Sequence, residues 1–391
     1  MKFNKQNPIH YFIYIYGYLI FILVFSYQKL IKKDKKERIV LYGHRLYGNL
    51  KSIYLELESS EFEYYFLTLD ISIYRKLKKN NFRVLYGLKF KDIYMVASSK
   101  YFITDHGLHY MKKLIMEKDN YFFDVNHGLP FQKWNEKIIS QWYKYTEVWL
   151  FSEFHKKIYV EDFKYKESNL VITGYGRLDY IKKFNLSQDK QKISKEIKLR
   201  YSLPVEKKVA LYAPTWIHNK KKVINEFMTP NNINFLKYLN EIAKDNNMVI
   251  IYRPHLNTYL SQKFISELKN FYNIFYFPFR DYEEVEDFLL VSDILITDWS
   301  SISFDYILLD RPVIFLDTEN SFPLGVFKED LLRFGIVSDL KNLKSNIITY
   351  KDNHDLYHKK FPNQKKIKTI LYDDFESIVS QKYIDRIKIY K

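Results

Sequence analysis

The hydrophobic pattern opens with one long apolar run and then becomes a regular alternation of short runs. From Asn7 to Gln28 there are 22 residues without an acid, Lys or Arg, and the middle reads YFIYIYGYLIFILVFSY. An α-helix needs about 20 apolar residues to cross a bilayer, and this run is that long. The next segment, KLIKKDKKER (29–38), carries six basic and two acidic residues. A basic flank of this kind keeps the following body on the cytoplasmic side. A spanning helix fits, and so does a helix lying in the interface with its tyrosines at headgroup level. An uncleaved signal-like segment fits too, since no small-residue cleavage site follows; a buried core helix is the reading without a membrane. Residues 1–37 are therefore expected to form a membrane-associating segment with its basic flank.

After this segment, β-rich runs alternate with helical ones. The strand candidates of the first half are 38–43, 64–69, 83–87, 101–104, 121–125, 148–152 and 170–174. Lys-rich amphipathic stretches such as NLKSIYLELE (49–58) lie between several of them. Residues 181–207 are charged, helical in pattern and poor in core positions, as a connector would be. A second series follows at 209–213, 248–252, 274–277, 293–297 and 313–317, with helical stretches at 231–246, 258–272 and 281–292. Strand–helix alternation implies a parallel sheet covered on both faces. The expected fold is α/β, with Rossmann-like domains over 38–185 and 186–391.

Composition adds two constraints. The 62 Lys and Arg exceed the 46 Asp and Glu by 16, which favours an anionic partner: a lipid surface, a phosphate-bearing substrate or polymer, or nucleic acid. Heavy use of Lys, Ile, Asn and Tyr also fits a simple compositional bias. A nucleic-acid or other polyanion binder without catalysis would gather its cations and aromatics on one face; here the lysines spread along both halves, so no nucleic-acid partner is expected. The absence of cysteine excludes disulfides, thiol catalysis and Cys-ligated zinc.

In a doubly wound sheet, ligands collect beyond the carboxyl ends of the strands. Those ends in the second half are Ala213-Pro214-Thr215-Trp216, Arg253-Pro254-His255, Phe277-Pro278-Phe279-Arg280 and Thr297-Asp298-Trp299-Ser300-Ser301. Together they supply the hydroxyls, imidazole and guanidinium groups of a pyrophosphate pocket. A helix starting near Ser301 would add backbone N–H groups and its positive dipole end. The plainer role for Ser301 is to cap that helix. Asp298, being anionic, suits capping or orienting the loop better than touching phosphate.

The first half offers Asp124-Val125-Asn126-His127-Gly128-Leu129-Pro130. A neutral imidazole at His127 can take a proton from a hydroxyl nucleophile, while Gly128 would let the backbone turn and a substrate come close. Arg177, in Thr173-Gly174-Tyr175-Gly176-Arg177, and His44, Gly48 and Asn49, after the first strand, are further candidates to face the same cleft. No HExxH, plausible DxD turn or P-loop occurs. Asp105-His106 beside His109 is the nearest approach to a metal set, and no metal is expected.

The order HGLPFQKW (127–134), TGYGRLD (173–179), YAPTW (212–216), YRPH (252–255) and TDWSSISFDYILLDRPVIF (297–315) resembles the CDP-glycerol glycerophosphotransferase family, the teichoic-acid primases and polymerases. The resemblance runs from about residue 39 to 320. It implies a GT-B fold, two Rossmann-like domains facing a cleft, with the nucleotide held by the C-terminal one. It also implies attachment to the cytoplasmic face of the membrane, where a lipid-linked acceptor resides. Carried over, His127 becomes the general base, His255 the contact to the donor pyrophosphate, and Ser300 and Ser301 the serine pair at the phosphates. The chain departs from the family pattern at Asn126, where a Trp is usual, at Gly176, where Pro is usual, at Ile217, where Arg is frequent, and after Asp317.

The implied reaction has an acceptor hydroxyl attack the β-phosphorus of a CDP-polyol, glycerol being the favoured polyol. CMP leaves, and His255, Ser300, Ser301, Thr215 and Arg253 balance the charge. The CDP-polyol is a substrate, and no cofactor is implied. A GT-B glycosyltransferase or a sugar-nucleotide epimerase would use the same cleft for a nucleotide sugar.

Overall fold

The computed structural model describes residues 8–31, 34–107, 109–126, 128–129, 144–216, 225–318, 329–373 and 377–391. The chain divides into two compact units. Each is built on its own parallel sheet.

The first unit holds seven strands in the order β3-β2-β1-β4-β5-β6-β7. They are β1 (Lys36–Tyr42), β2 (Glu63–Thr68), β3 (Val84–Tyr86), β4 (Ser99–Thr104), β5 (Tyr121–Asp124), β6 (Glu147–Leu150) and β7 (Leu170–Ile172). All seven coincide with runs expected from the sequence. The continuous apolar stretch Ile39–Tyr42 is buried because helices cover both sheet faces. Ile39, Leu41, Phe66, Ile103, Phe123 and Trp149 form its core.

Four helices precede the middle of this sheet: α1 (Pro8–Leu30), α2 (Gly48–Glu56), α3 (Ile71–Lys79) and α4 (Phe90–Ala97). Asp70 caps α3 by accepting from the N–H groups of Ser72 and Ile73. Helix α1 does not stand apart from the unit. Phe21 and Val24 are fully buried, and the Gln28 amide donates to the Tyr94 carbonyl at 3.1 Å.

The C-terminal helix Ser380–Lys388 corrects the expected domain boundary, because residues 377–391 belong to the first unit. Its sequence is charged, but Tyr383, Ile384 and Ile387 fall on one face and enter the first core. The Asp179 carboxylate accepts the N–H of Val379 at 3.0 Å and that of Ser380 at 2.8 Å. Glu147 pairs with Arg386 and accepts from the Tyr390 hydroxyl at 2.7 Å.

The second unit holds six strands in the order β10-β9-β8-β11-β12-β13. They are β8 (Lys208–Tyr212), β9 (Met248–Tyr252), β10 (Ile274–Tyr276), β11 (Ile294–Thr297), β12 (Val313–Leu316) and β13 (Ile336–Ser338). Sequence reading finds the first five and misses β13, whose run holds only two apolar residues, Ile336 and Val337, the second of them exposed. The unit starts at Tyr180, so the expected connector is part of it. Helix Lys190–Arg200 buries Ile197, and Asp287 binds it through Arg200 at 2.9 Å and the Tyr201 hydroxyl at 2.8 Å.

Both sheets therefore repeat the 3-2-1-4-5-6 strand order of dinucleotide-binding folds. The order reverses between β1 and β4 in the first sheet and between β8 and β11 in the second. Ligands in open α/β sheets bind at such reversals.

Candidate functional site

In the second unit, the loops after β8 and β11 are tied together at that reversal. The Asp298 carboxylate accepts the Thr215 N–H at 2.9 and 3.0 Å, one contact to each oxygen. It also accepts its neighbour's N–H, that of Trp299, at 2.6 Å. The Thr297 hydroxyl adds a bond to the Ala213 carbonyl at 2.7 Å. Asp298 and Thr215 are both buried. The carboxylate thus organises two strand ends and has its charge answered by backbone amides.

Ser300 and Ser301 follow directly. Ser303 donates its N–H and its hydroxyl to the Ser300 carbonyl, at 3.1 and 2.9 Å. The Ser301 hydroxyl makes no capping bond to the helix it precedes, so the plain capping role does not account for it. That helix, Ile302–Tyr306, has only five residues before a 3-10 turn at Ile307–Leu309. Its dipole is correspondingly small, and the individual amides and hydroxyls matter more than the axis.

After β9 the paired residues behave differently. His255 is exposed, and its ring stacks on Trp216, with centroids 6.5 Å apart. Its Nδ1 accepts the Asn257 N–H at 3.1 Å, which assigns the proton of the neutral ring to Nε2. Nε2 is then an N–H donor, the kind of group a phosphate contact uses. Arg253 departs from the phosphate role expected of it. Its guanidinium is buried over Phe279 and Phe288 and donates to the carbonyls of Phe277 and Glu283, at 3.4 and 3.1 Å. Burial pushes it down to about 10, still charged at neutral pH.

In the first unit, His127 lies outside the described residues, while Asn126 before it and Gly128 after it are described. Asn126 adopts a left-handed conformation, with φ of 49°. Asn tolerates this better than most residues, which gives a reason for Asn at this departure from the family pattern. Asn126 donates its N–H to Asp124 Oδ1 at 2.9 Å and accepts the Tyr159 hydroxyl on Oδ1 at 2.8 Å. Gly128, expected to make the turn, has no positive φ; a Cβ there would meet nothing within 4 Å. The left-handed residue is Asn126 instead.

Asn49, expected to face the acceptor, is a buried clamp. Its Nδ2 donates to the carbonyls of Asn126 and Val125, at 3.0 and 3.4 Å, and its Oδ1 accepts the Arg177 N–H at 3.2 Å. One amide thus joins the end of β5 to the loop after β7. The Arg177 side chain is half-buried and lies over the Tyr175 ring at 5.3 Å.

At the β1/β4 reversal, sequence reading offers His44 for the cleft but does not bring Asp105 and His106 to it. The His44 and His106 rings lie 4.5 Å apart. His106 Nδ1 stands 2.6 Å from Asp105 Oδ1. Gly43 makes room for that carboxylate: a Cβ on it would come within 2.5 Å of Asp105 Oδ1. Burial, with Asp105 close by, pushes the Asp124 carboxyl up to about 7; the Asn126 N–H and His106 oppose the rise. The sequence signal was there in Asp-His directly after a strand, but it had been weighed only as a metal ligand set. Among the described residues, no group of three or more His, Asp or Glu is placed to hold a metal ion.

Known proteins share both the sequence and the fold. A teichoic acid poly(glycerol phosphate) polymerase of Bacillus spizizenii is 26% identical over 320 residues, covering 76% of this chain and 77% of that protein. A teichoic acid glycerol-phosphate transferase of Staphylococcus aureus is 35% identical over 158 residues, 40% of this chain and 38% of its own length. The solved wall teichoic acid polymerase TagF superposes with a TM-score of 0.70 at 20% identity, over 95% of this chain and 97% of that one, and shares its GT-B fold. The profile of the CDP-glycerol:poly(glycerophosphate) glycerophosphotransferases matches residues 24–322, well over half of the chain, and the protein belongs to that family.

Proposed function

We propose that the second unit holds the pyrophosphate of CDP-glycerol at the β8/β11 reversal, and that the first unit receives the acceptor hydroxyl whose proton His127 removes. Membership of the family makes the chain a transferase of CDP-glycerol-based polymer synthesis. The observation that supports the finer reading is the Asp298 tie. It joins the Thr215 N–H to the loop that runs on into Ser300 and Ser301, at the strand-order reversal where ligands bind in open α/β sheets, and this supports a phosphate role for those residues and for His255 after the neighbouring strand.

The chemistry then follows from charge. The acceptor oxygen attacks the β-phosphorus, its proton passes to His127, and CMP leaves with the electrons of the broken P–O bond. Positioning and neutralisation carry most of such a phosphoryl transfer. The His255 Nε2–H and the serine hydroxyls would donate to the departing phosphate. General-base assistance from an imidazole contributes about 10²–10⁴ in rate.

The acceptor is a glycan or glycerophosphate polymer end, carried on a lipid at the cytoplasmic face of the membrane. This reading rests on the apolar α1 and on the basic balance of the chain. The test is to incubate the chain with CDP-glycerol, CDP-ribitol and nucleotide sugars in turn. Release of CMP with phosphodiester formation supports the proposal. Release of a nucleoside diphosphate, or isomerisation of a sugar nucleotide, rejects it. His127→Ala should abolish transfer while CDP-glycerol binding stays within about threefold, since a general base acts on the transition state.

A further inference from the structure

We propose that the Asp105–His106 pair of the first unit recognises a vicinal diol at the end of the acceptor. Asp105 orients the ring, and His106 accepts a hydrogen bond from the hydroxyl on the carbon next to the nucleophile. This deepens the acceptor half of the proposed function and rests on it.

Strand register gathers the parts. Tyr42 lies opposite Thr104 and Thr104 opposite Asp124, so the loops that begin at Gly43, Asp105 and Val125 leave the sheet side by side. The loop after β4 is then fixed from within. The Thr104 hydroxyl accepts the His106 N–H at 3.3 Å and donates to the Gly107 carbonyl at 3.0 Å. Gly107 completes that turn with φ of 86°, which a side chain would resist. From the β1 side Gly43 approaches so closely that a Cβ on it would lie 2.5 Å from Asp105 Oδ1. The carboxylate is thereby pinned between two loops, with the imidazole beside it.

Exposure decides which of the two meets a substrate. The Asp105 side chain is 5% exposed and that of His106 19%. With His106 Nδ1 2.6 Å from Asp105 Oδ1, the neutral ring carries its proton on Nδ1 and its lone pair on Nε2. A carboxylate behind an imidazole fixes its tautomer and tilt in this way and makes the far nitrogen a better acceptor. The group that meets Nε2 must therefore donate. It must also carry no negative charge, because Asp105 lies near enough to Asp124 to help burial push that carboxyl up to about 7. An anion would face both. The His44 ring, half-buried with its centroid 4.5 Å from that of His106, adds a flat wall for C–H groups. A hydroxyl borne on carbon satisfies each condition.

The chemistry of the acceptor supplies that donor. A glycerol esterified at an end carbon keeps two hydroxyls on neighbouring carbons, and a pyranose ring offers the same pair. One oxygen attacks phosphorus; its neighbour keeps its proton throughout the transfer and can donate to His106. Holding the diol by this second oxygen fixes which hydroxyl is presented for reaction. An acceptor that ends in a single hydroxyl forfeits the bond, a loss of about fivefold to tenfold in affinity for a partly exposed contact.

Two soluble probes test this: a glycerol phosphate dimer, and the same dimer with hydrogen in place of the terminal unit's central hydroxyl. Calorimetric titration of the full chain without donor should find the parent dimer bound about fivefold to tenfold tighter. Transfer from CDP-glycerol should show the same preference in kcat/KM. His106→Phe should bring both ratios to about one, whereas His106→Gln, whose carbonyl reaches the place of Nε2, should keep a preference of about threefold or more. Nitrogen NMR of the histidine-labelled chain should show His106 as the Nδ1–H tautomer, with its Nε2 signal moved by the parent dimer alone. Asp105→Asn should mix the tautomers and shrink the preference. Each variant is compared with itself on two ligands, so a loss of stability alone leaves the ratios in place. Equal binding of the two dimers by the wild-type chain, binding of neither, or a preference that survives His106→Phe overturns the proposal. The titration needs no turnover, so failure of CMP release would reject the catalytic reading and leave this one standing.

Discussion

Replacing Asn49 by alanine separates a clamp from a substrate contact. The side chain is 3% exposed and makes bonds of 3.0 and 3.4 Å to two carbonyls and 3.2 Å to one backbone N–H. Truncation leaves the Asn126 carbonyl and the Arg177 N–H without this partner in a buried setting. Each such loss costs about 1–3 kcal/mol, and the 3.4 Å bond contributes little, so the total is about 2–6 kcal/mol. In a unit of this size that lowers the melting temperature by roughly 5–20 °C. Because Asn49 holds the backbone leading to His127, kcat should fall with the stability loss while the KM for CDP-glycerol stays near the wild-type value. Calorimetry and initial rates at a temperature below both transitions would measure the two effects. Asn49→Asp should be no better, since its carboxylate would face two carbonyl oxygens. An unchanged melting temperature with a raised acceptor KM would refute the clamp and make Asn49 the acceptor contact its sequence position first suggested.

Three more outcomes follow from individual contacts. The Asp124 carboxyl, raised to about 7 in the folded chain, binds its proton more tightly there than in the unfolded chain. Its stabilising contribution is full below about pH 4 and is lost as pH rises through about 7, by about 4 kcal/mol at most. Asp124→Asn should therefore flatten the fall in urea-denaturation stability between those pH values, and an unchanged slope would contradict the raised carboxyl. Asn126→Gly should keep transfer within a fewfold because glycine accepts a positive φ, whereas Asn126→Val should lose at least 1–2 kcal/mol of stability and most activity. Asp298→Asn puts an amide where two backbone N–H groups point; it should weaken CDP binding about tenfold or more by calorimetry, and unaltered binding would remove Asp298 from the donor pocket.

The parallel sheets were legible because a strand covered on both faces prints an unbroken apolar run, as Ile39–Tyr42 and Val249–Tyr252 do. Elements that depend on one partner were not. Sequence reading carries the second domain to residue 391, but the Asp179 carboxylate accepts the N–H groups at the start of helix 380–388 and the first core receives Tyr383. Among candidate site residues, Thr215, His255 and the serines follow strands β8, β9 and β11, because topology alone puts such residues at the sheet's carboxyl edge. Side-chain direction was beyond the same reasoning. Arg253 occupies an equivalent position, yet its guanidinium turns inward, where Phe279 and Phe288 stack on it and loop carbonyls receive its protons. Gly128 looked like the flexible point because glycine is, but a Tyr159 hydroxyl and an Asp124 oxygen give the bend to Asn126.

On the proposed function, one strand order used twice would serve two kinds of chemistry, and the loop charges favour one assignment. At the second unit's reversal the Asp298 carboxylate is already answered by the amides of Thr215 and Trp299. A pyrophosphate there meets donors. At the first unit's reversal the carboxyls of Asp105 and Asp124 lie near one another, with two imidazoles beside them. An anion placed there would be repelled, while a neutral hydroxyl about to lose its proton would be favoured. Asp105→Asn tests this division of labour. If the donor binds only at the second unit, removing this carboxylate leaves CDP affinity within about twofold and changes the rate and pH profile of transfer instead. If the pyrophosphate sat at the first unit, the same change would relieve a like-charge contact and tighten CDP binding by about tenfold, since 1.4 kcal/mol is the scale of one such partly buried interaction. Calorimetric titration with CDP distinguishes the two, and tightening would reverse the assignment of donor and acceptor to the two sheets.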